Sequence, residues 1–156
     1  MKKLFSFVAS LLCVFMMMSP VSAISKKTAK SIAKKYVPSG YTYKSAHKDD
    51  NTWEVKYKKG KFTIEVDISD KTKKVKEVDK NYSGKAGGSS WKISKSKAKS
   101  LVKSKFKGAK IIEVDKESNK KDGKYWEVEF KTSKYKGEAK VNASNGKIYE
   151  YEKDYR

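Results

Sequence analysis

His47 is the only histidine and Cys13 the only cysteine in the 156-residue chain, and that scarcity decides which chemistries are open. A single histidine cannot build a multi-histidine metal site. His47 sits beside Lys48, Asp49 and Asp50 in a stretch that reads as an exposed loop, and no motif around it supports a Ser-His pair. The S-x-x-K spacing of serine acyl enzymes occurs at Ser31–Lys34, Ser94–Lys97 and Ser100–Lys103. Chance supplies such pairs in a chain with 38 lysine and arginine residues, and neither S-D-N nor K-T-G accompanies them. The run DKESNKKDG places Asp115, Glu117, Asn119 and Asp122 at spacings like those of a calcium loop. Lys120 stands where that loop needs glycine, Trp126 stands where its closing glutamate belongs, and interleaved lysines repel a cation. No motif marks a pair of carboxylates for glycoside hydrolysis. Asp67 and Asn142 read instead as turn-entry residues that bond local backbone. The sequence therefore predicts no catalytic residue, no metal ligand and no cofactor.

Binding chemistry remains. The formal net charge is +20, and the sole arginine is Arg156 at the end. Lysine is a hydrated point charge, whereas arginine is the residue of bidentate phosphate and base-edge recognition. Such a surface suits diffuse attraction to anions and predicts no specific nucleic-acid partner. Lys95, Lys99 and Lys103, on the lysine-rich stretch ISKSKAKSLVKSKF, are candidate contact residues. So are Tyr125, Tyr149 and Tyr151, which the strand alternation turns outward between charged neighbours, while Trp53 and Trp126 turn inward.

The elements that must carry these residues begin after a leader. Lys2 and Lys3 precede an apolar run from Leu4 to Met18, and Ser19-Pro20-Val21-Ser22-Ala23 ends in a small-x-small pattern. This reads as a secretory signal peptide, residues 1–23, cleaved after Ala23. Leu12 stands before Cys13 where a lipobox needs a small residue, so a lipid anchor at Cys13 is the weaker reading. Cleavage removes the only cysteine and leaves no disulfide or thiol chemistry.

Beyond Ala23 the chain says nearly the same thing twice. Ile24–Lys34 lies over Ile93–Lys103 without a gap, Trp53–Tyr57 matches Trp126–Phe130, and Val66–Asp70 matches Val141–Asn145. Between the copies, Tyr82–Ser90 is rich in glycine and serine and reads as a flexible linker. The expected fold is α+β, in two repeated units over 24–79 and 92–156, joined by a linker at 80–91. Each unit has one N-terminal helix packed on a 3–4-stranded antiparallel sheet. Ser25 and Ser94 are the predicted N-caps, with Ala29, Ile32, Ala33 and Tyr36, and Ala98, Leu101, Val102 and Phe106, on the buried stripes. Strands are expected at Tyr41–Ala46, around Trp53 and Phe62, and at Val75–Val78. The second unit repeats these at Ala109–Asp115, around Trp126 and Val141, and at Ile148–Glu152, with a turn at Asn145-Gly146.

A helix opening ISKxxAK, a strand with Trp-Glu-Val and the hairpin Val141-Asn142-Ala143-Ser144-Asn145-Gly146-Lys147-Ile148 together resemble a PepSY domain, here in tandem. The first copy, aligned on Val66-Asp67-Ile68-Ser69-Asp70, departs from the hairpin pattern through a longer turn without glycine. The resemblance implies a non-catalytic module that binds and regulates peptidases, and it carries over no site residues. The expected partner is a protein, such as a secreted peptidase. The other reading is retention on an anionic cell-wall polymer or membrane surface through the lysines. Location outside the cytoplasm or in the envelope follows from the leader, and the oligomeric state stays open.

Overall fold

The computed structural model describes residues 23–156; the expected leader, with Cys13, lies outside the described residues except for Ala23. Helix α1 spans Lys26–Lys34 and α2 spans Lys95–Lys105. Both start where the two serines place them: Ser25 Oγ accepts from the Thr28 N–H and Ser94 Oγ from the Lys97 N–H, each at 3.2 Å. A serine cap of this kind contributes about 1 kcal/mol. Ala29 and Ala33 in α1, and Ala98 and Val102 in α2, are fully buried, so small residues bring each helix close to the sheet.

The strands are β1 (Thr42–Asp49), β2 (Thr52–Lys59), β3 (Phe62–Ser69), β4 (Val75–Tyr82), β5 (Lys110–Asn119), β6 (Gly123–Lys131), β7 (Tyr135–Asn142) and β8 (Ile148–Tyr155). They correct the expected architecture. The two helix-plus-sheet units do not exist as separate sheets. All eight strands form one antiparallel sheet in the order β1-β2-β3-β4-β8-β7-β6-β5. The physical reason lies at the join. Each four-strand run ends in a strand whose outer N–H and C=O groups need partners. The two last strands satisfy each other, pairing Lys80 with Tyr151 and Glu77 with Asp154. Both strands outrun their expected lengths to do so, β4 to Tyr82 and β8 to Tyr155.

One face of the sheet carries both helices. Val55, Val66 and Ile68 pack under α1 in one core, and Val128, Ala139 and Val141 pack under α2 in the other. Tyr151 packs against both. His47, expected in a loop, is an exposed residue of edge strand β1, opposite Glu54.

The duplication survives in the registers, which shift its alignment. Trp53 faces Ile68 and Trp126 faces Val141, so Ile68 and not Val66 is the counterpart of Val141. Ser69 then matches Asn142, and the two turns have equal length. Lys73 N–H bonds the Ser69 carbonyl and Gly146 N–H the Asn142 carbonyl, both at 2.9 Å. Asn142 does bond local backbone as expected, accepting from the Ser144 and Asn145 N–H groups. Asp67 lies within β3, opposite Glu54 and Glu77.

The glycine- and serine-rich connection is hydrogen-bonded to the second half of the sheet. Gly87 and Gly88 N–H bond the carbonyls of Asp122 and Lys124 at 2.6 Å, and Ser144 Oγ donates to the Ser90 carbonyl at 2.9 Å. Gly88 has no room for a side chain, because a Cβ there would overlap Ser144.

Candidate functional site

The two faces of this sheet carry charge differently: the open face crowds carboxylates between the ion-paired Lys56, Lys136 and Lys140. On the face away from the helices, alternation places Glu65 and Asp67 beside Glu77 and Asp79 of β4, then Glu152 of β8 and Glu138 of β7. Glu77, Asp79 and Glu152 bring one oxygen each within 4.8 Å of one another. Three oxygens are part of the shell a hard cation takes, and the crowding acts on protons in any case. Burial and then Glu77 push the Asp79 carboxyl up to about 7, and burial and then Glu127 push Glu138 up to about 7. One carboxylate oxygen of Asp79 is buried without a hydrogen-bond partner.

The helix face has the opposite chemistry. The chain leaves α1 through Pro38 to Tyr41, α2 ends at Lys105, and the join of β4 and β8 lies between them. The resulting cleft comprises two hollows of about 580 and 490 Å³ that share Lys105 and Tyr151 as walls. Around the Tyr151 ring stand three ammonium groups, Lys153 at 5.0 Å, Lys105 at 5.6 Å and Lys80 at 5.9 Å from its centroid. Lys80 also sits 4.4 Å over Phe62, which Lys147 approaches at 5.5 Å. Among the described residues, none of these four lysines has a carboxylate within ion-pair distance.

Aromatic faces partly hold these cations, each contact being worth about 0.5–1 kcal/mol at an exposed site. They do not cancel the crowding of like charges. Burial, and then Lys105 and Lys147, lower the Lys80 ammonium to about 8; burial and then Lys105 lower Lys153. Burial raises the Tyr151 hydroxyl to about 12, so it stays a neutral donor. The cleft offers cationic donors over an apolar aromatic floor.

The expected contact residues separate. Lys95, Lys99 and Lys103 are exposed on α2, as the sequence predicts. Tyr125 and Tyr149 are not the outward contact residues expected of them. They are buried, at 6% and 2% exposure, and pack edge to face with ring centroids 6.2 Å apart. Tyr149 takes up the extra residue at the register shift between β7 and β8, where Lys140 pairs with Glu150 but Val141 pairs with Ile148. Tyr151 points to the helix face instead, into the cleft. Sequence reasoning missed Lys80 and Lys153. Their signal was a lysine at an inward position of an alternating strand, after Val78 in β4 and after Tyr151 in β8. Trp53 and Trp126 are half-buried and donate Nε1 hydrogen bonds to Asp70 and to the Ile93 carbonyl.

The sheet edges are poor sites for an added strand. Register shifts interrupt β1 between Tyr43 and Ser45 and β5 between Ile111 and Glu113. A bulge combined with edge lysines discourages pairing with another chain.

The stretch that supplies α2, the β7–β8 turn and Tyr151 also decides the family. The profile of the PepSY family, the peptidase propeptide and YPEB domain, matches residues 92–152. The chain contains a PepSY domain. It runs from the approach to α2 into β8 and so contributes Lys105, Lys147 and Tyr151 to the cleft, while Lys80 comes from the first half of the sheet. No curated protein matches the chain. Two solved structures are similar to it. One is a protein of Clostridium difficile 630 described as a candidate lipoprotein, 14% identical, with 89% of this chain and 98% of that one covered and a TM-score of 0.36. The other is a DUF2874 family protein of Bacteroides uniformis ATCC 8492, 13% identical, with 83% and 90% covered and a TM-score of 0.33.

Proposed function

We propose that this protein is a non-catalytic binding module, secreted or held in the cell envelope, that docks on an extracellular peptidase and regulates it. Membership of residues 92–152 in the PepSY family supports a peptidase-directed binding role. The observation that carries the choice of surface is the cleft around Tyr151, where four lysines lack acidic partners among the described residues. A partner segment bearing carboxylates beside an apolar side chain would relieve the repulsion between Lys80, Lys105 and Lys147 while covering the aromatic floor. Such a docked segment regulates by occlusion, holding the peptidase against the helix face.

A second reading is favoured by the exposed row Lys95, Lys99 and Lys103 on α2, which lines neither hollow of the cleft. There the protein is retained on anionic wall polymer, and the lysines act as a screened point-charge surface.

The test is capture by tagged protein from culture supernatant and envelope extract, washed with rising salt, followed by assay of captured peptidases. A peptidase held through high salt and released by Lys105→Glu with Lys147→Glu supports cleft docking. Loss of all binding at moderate salt, cured of wall polymer by Lys95→Glu, Lys99→Glu and Lys103→Glu, supports retention instead.

A further inference from the structure

Asp70 is the one charged residue among the described residues that is buried, at 4% exposure, and its ligands are unusual. Its Oδ1 accepts from the backbone nitrogen of Ile24 at 2.9 Å and from Trp53 Nε1 at 3.1 Å, while Lys48 Nζ reaches Oδ2 at 2.7 Å. We propose that, in a chain cleaved after Ala23 as its leader pattern predicts, the α-amino group released at Ile24 becomes a structural ligand of the buried Asp70 carboxylate.

The duplicated half of the molecule supplies an internal comparison. Ile93 is the counterpart of Ile24, and the registers place Ala143 where the first half has Asp70. In the second half, the Ile93 N–H donates to the Ala143 carbonyl at 2.8 Å. A neutral amide inside a continuous chain thus meets a neutral acceptor. Only the half whose isoleucine follows Ala23 buries a carboxylate at that point. Burying a carboxylate is costly unless a cation compensates it, and Lys48, itself 38% exposed, is a partly solvated one. An ammonium at Ile24 would bring a full positive charge to Oδ1 without moving the backbone.

The surroundings fit that use. Ile24 is itself buried at 6% exposure, anchoring the nitrogen, whereas Ala23 is exposed, and Ser25 is extended before α1 begins. Val21-Ser22-Ala23 has the small-x-small pattern that leader-removing endopeptidases accept. Such an enzyme adds water across the bond. The C–N bond breaks, Ala23 leaves with a carboxylate, and the new amine at Ile24 takes a proton to become an ammonium. The charge-assisted bond that results is shorter and stronger than the amide bond it replaces. Release from the leader is thereby coupled to tightening of the first half of the sheet.

The experiment compares proteins beginning at Ile24 and at Ala23, each made with and without Asp70→Asn. Retaining Ala23 moves the ammonium about 3.8 Å along the chain, out of reach of Oδ1. With Asp70 intact, the Ile24 form is expected to melt roughly 2–8 °C above the Ala23 form, and its α-amino group to be acylated at least about tenfold more slowly at neutral pH. Asp70→Asn should abolish both differences. Equal melting temperatures and equal acylation of the two forms would overturn the proposal. If Asp70→Asn fails to fold, the comparison of the two wild-type starts still decides.

Discussion

Lys73 and Gly146 occupy the same step of equivalent turns, at φ 61° and 74°. Each closes its turn with an N–H bond to the carbonyl four residues back, on Ser69 and Asn142. A left-handed conformation costs a residue with a Cβ about 1–2 kcal/mol, and glycine adopts it freely. Lys73→Gly is therefore expected to stabilise the protein by about 1 kcal/mol. The check is urea unfolding, with a raised midpoint and an unchanged m-value. An unchanged midpoint would mean that the turn is not held in this conformation in solution.

Tyr151 is the shared side chain of the two cores, packing on Phe106 edge to face at 5.4 Å. Truncating a large aromatic at such a joint costs about 3 kcal/mol or more. Tyr151→Ala should thus lower stability by that order and loosen the coupling of the two halves. Trp91 and Trp126, which pack on each other, report the second half when Trp53 is replaced by phenylalanine, and Trp53 reports the first half when both of them are replaced. In Tyr151→Ala, the two fluorescence transitions are expected to separate, whereas in the parent they coincide. Coincident transitions in the variant would show that the β4–β8 hydrogen bonds alone keep the sheet cooperative.

Much of this fold was legible locally and little of it globally. Serine caps, buried alanines and strand alternation mark elements within a few residues of one another, and each left its pattern at Ser25, Ala29 or Val55. The joining of β4 to β8 left no such pattern, because backbone pairing between edges does not depend on side-chain type. The tyrosines show the same limit. One register shift, which leaves Tyr149 as the extra residue, is enough to turn Tyr151 towards the helices. The cleft is made by that shift together with the join, so neither Lys80 nor Lys153 could be recognised as neighbours from the chain alone.

The acidic face predicts a pH dependence with a definite sign. Asp79 and Glu138 titrate near 7 in the folded protein, against 3.8 and 4.5 unperturbed. Between those values the folded state holds protons that the unfolded state has released. Stability therefore falls as pH rises from about 4.5 to 7. Asp70 acts oppositely, since Lys48 first and foremost holds it below the usual carboxylate range, and its contribution is lost only as pH falls through that lower value. Melting temperature should accordingly decline from pH 5 to pH 8. Asp79→Asn should flatten the decline and raise the melting temperature at pH 8. A melting temperature that climbs over this interval would show that the open face is better solvated than its crowding implies.

Lys80 brings the same proton linkage to the cleft. Its ammonium titrates near 8, because burial and the nearby Lys105 and Lys147 disfavour the charged form. Above pH 8 the unfolded chain keeps a proton that the folded chain has lost, so this group adds stability as pH rises from 8 towards 10.5. An anion in the cleft reverses the bias by favouring the charged form. Binding of an acidic peptide such as hexaglutamate at pH 8 is therefore expected to take up roughly half a proton, and almost none at pH 6, where Lys80 is already charged. Calorimetry in buffers of different ionisation enthalpy measures that uptake directly. Lys80→Met should remove it while leaving residual binding to the other cleft lysines. Binding with no proton uptake at pH 8 would place the peptide elsewhere, most simply on the exposed row of Lys95, Lys99 and Lys103.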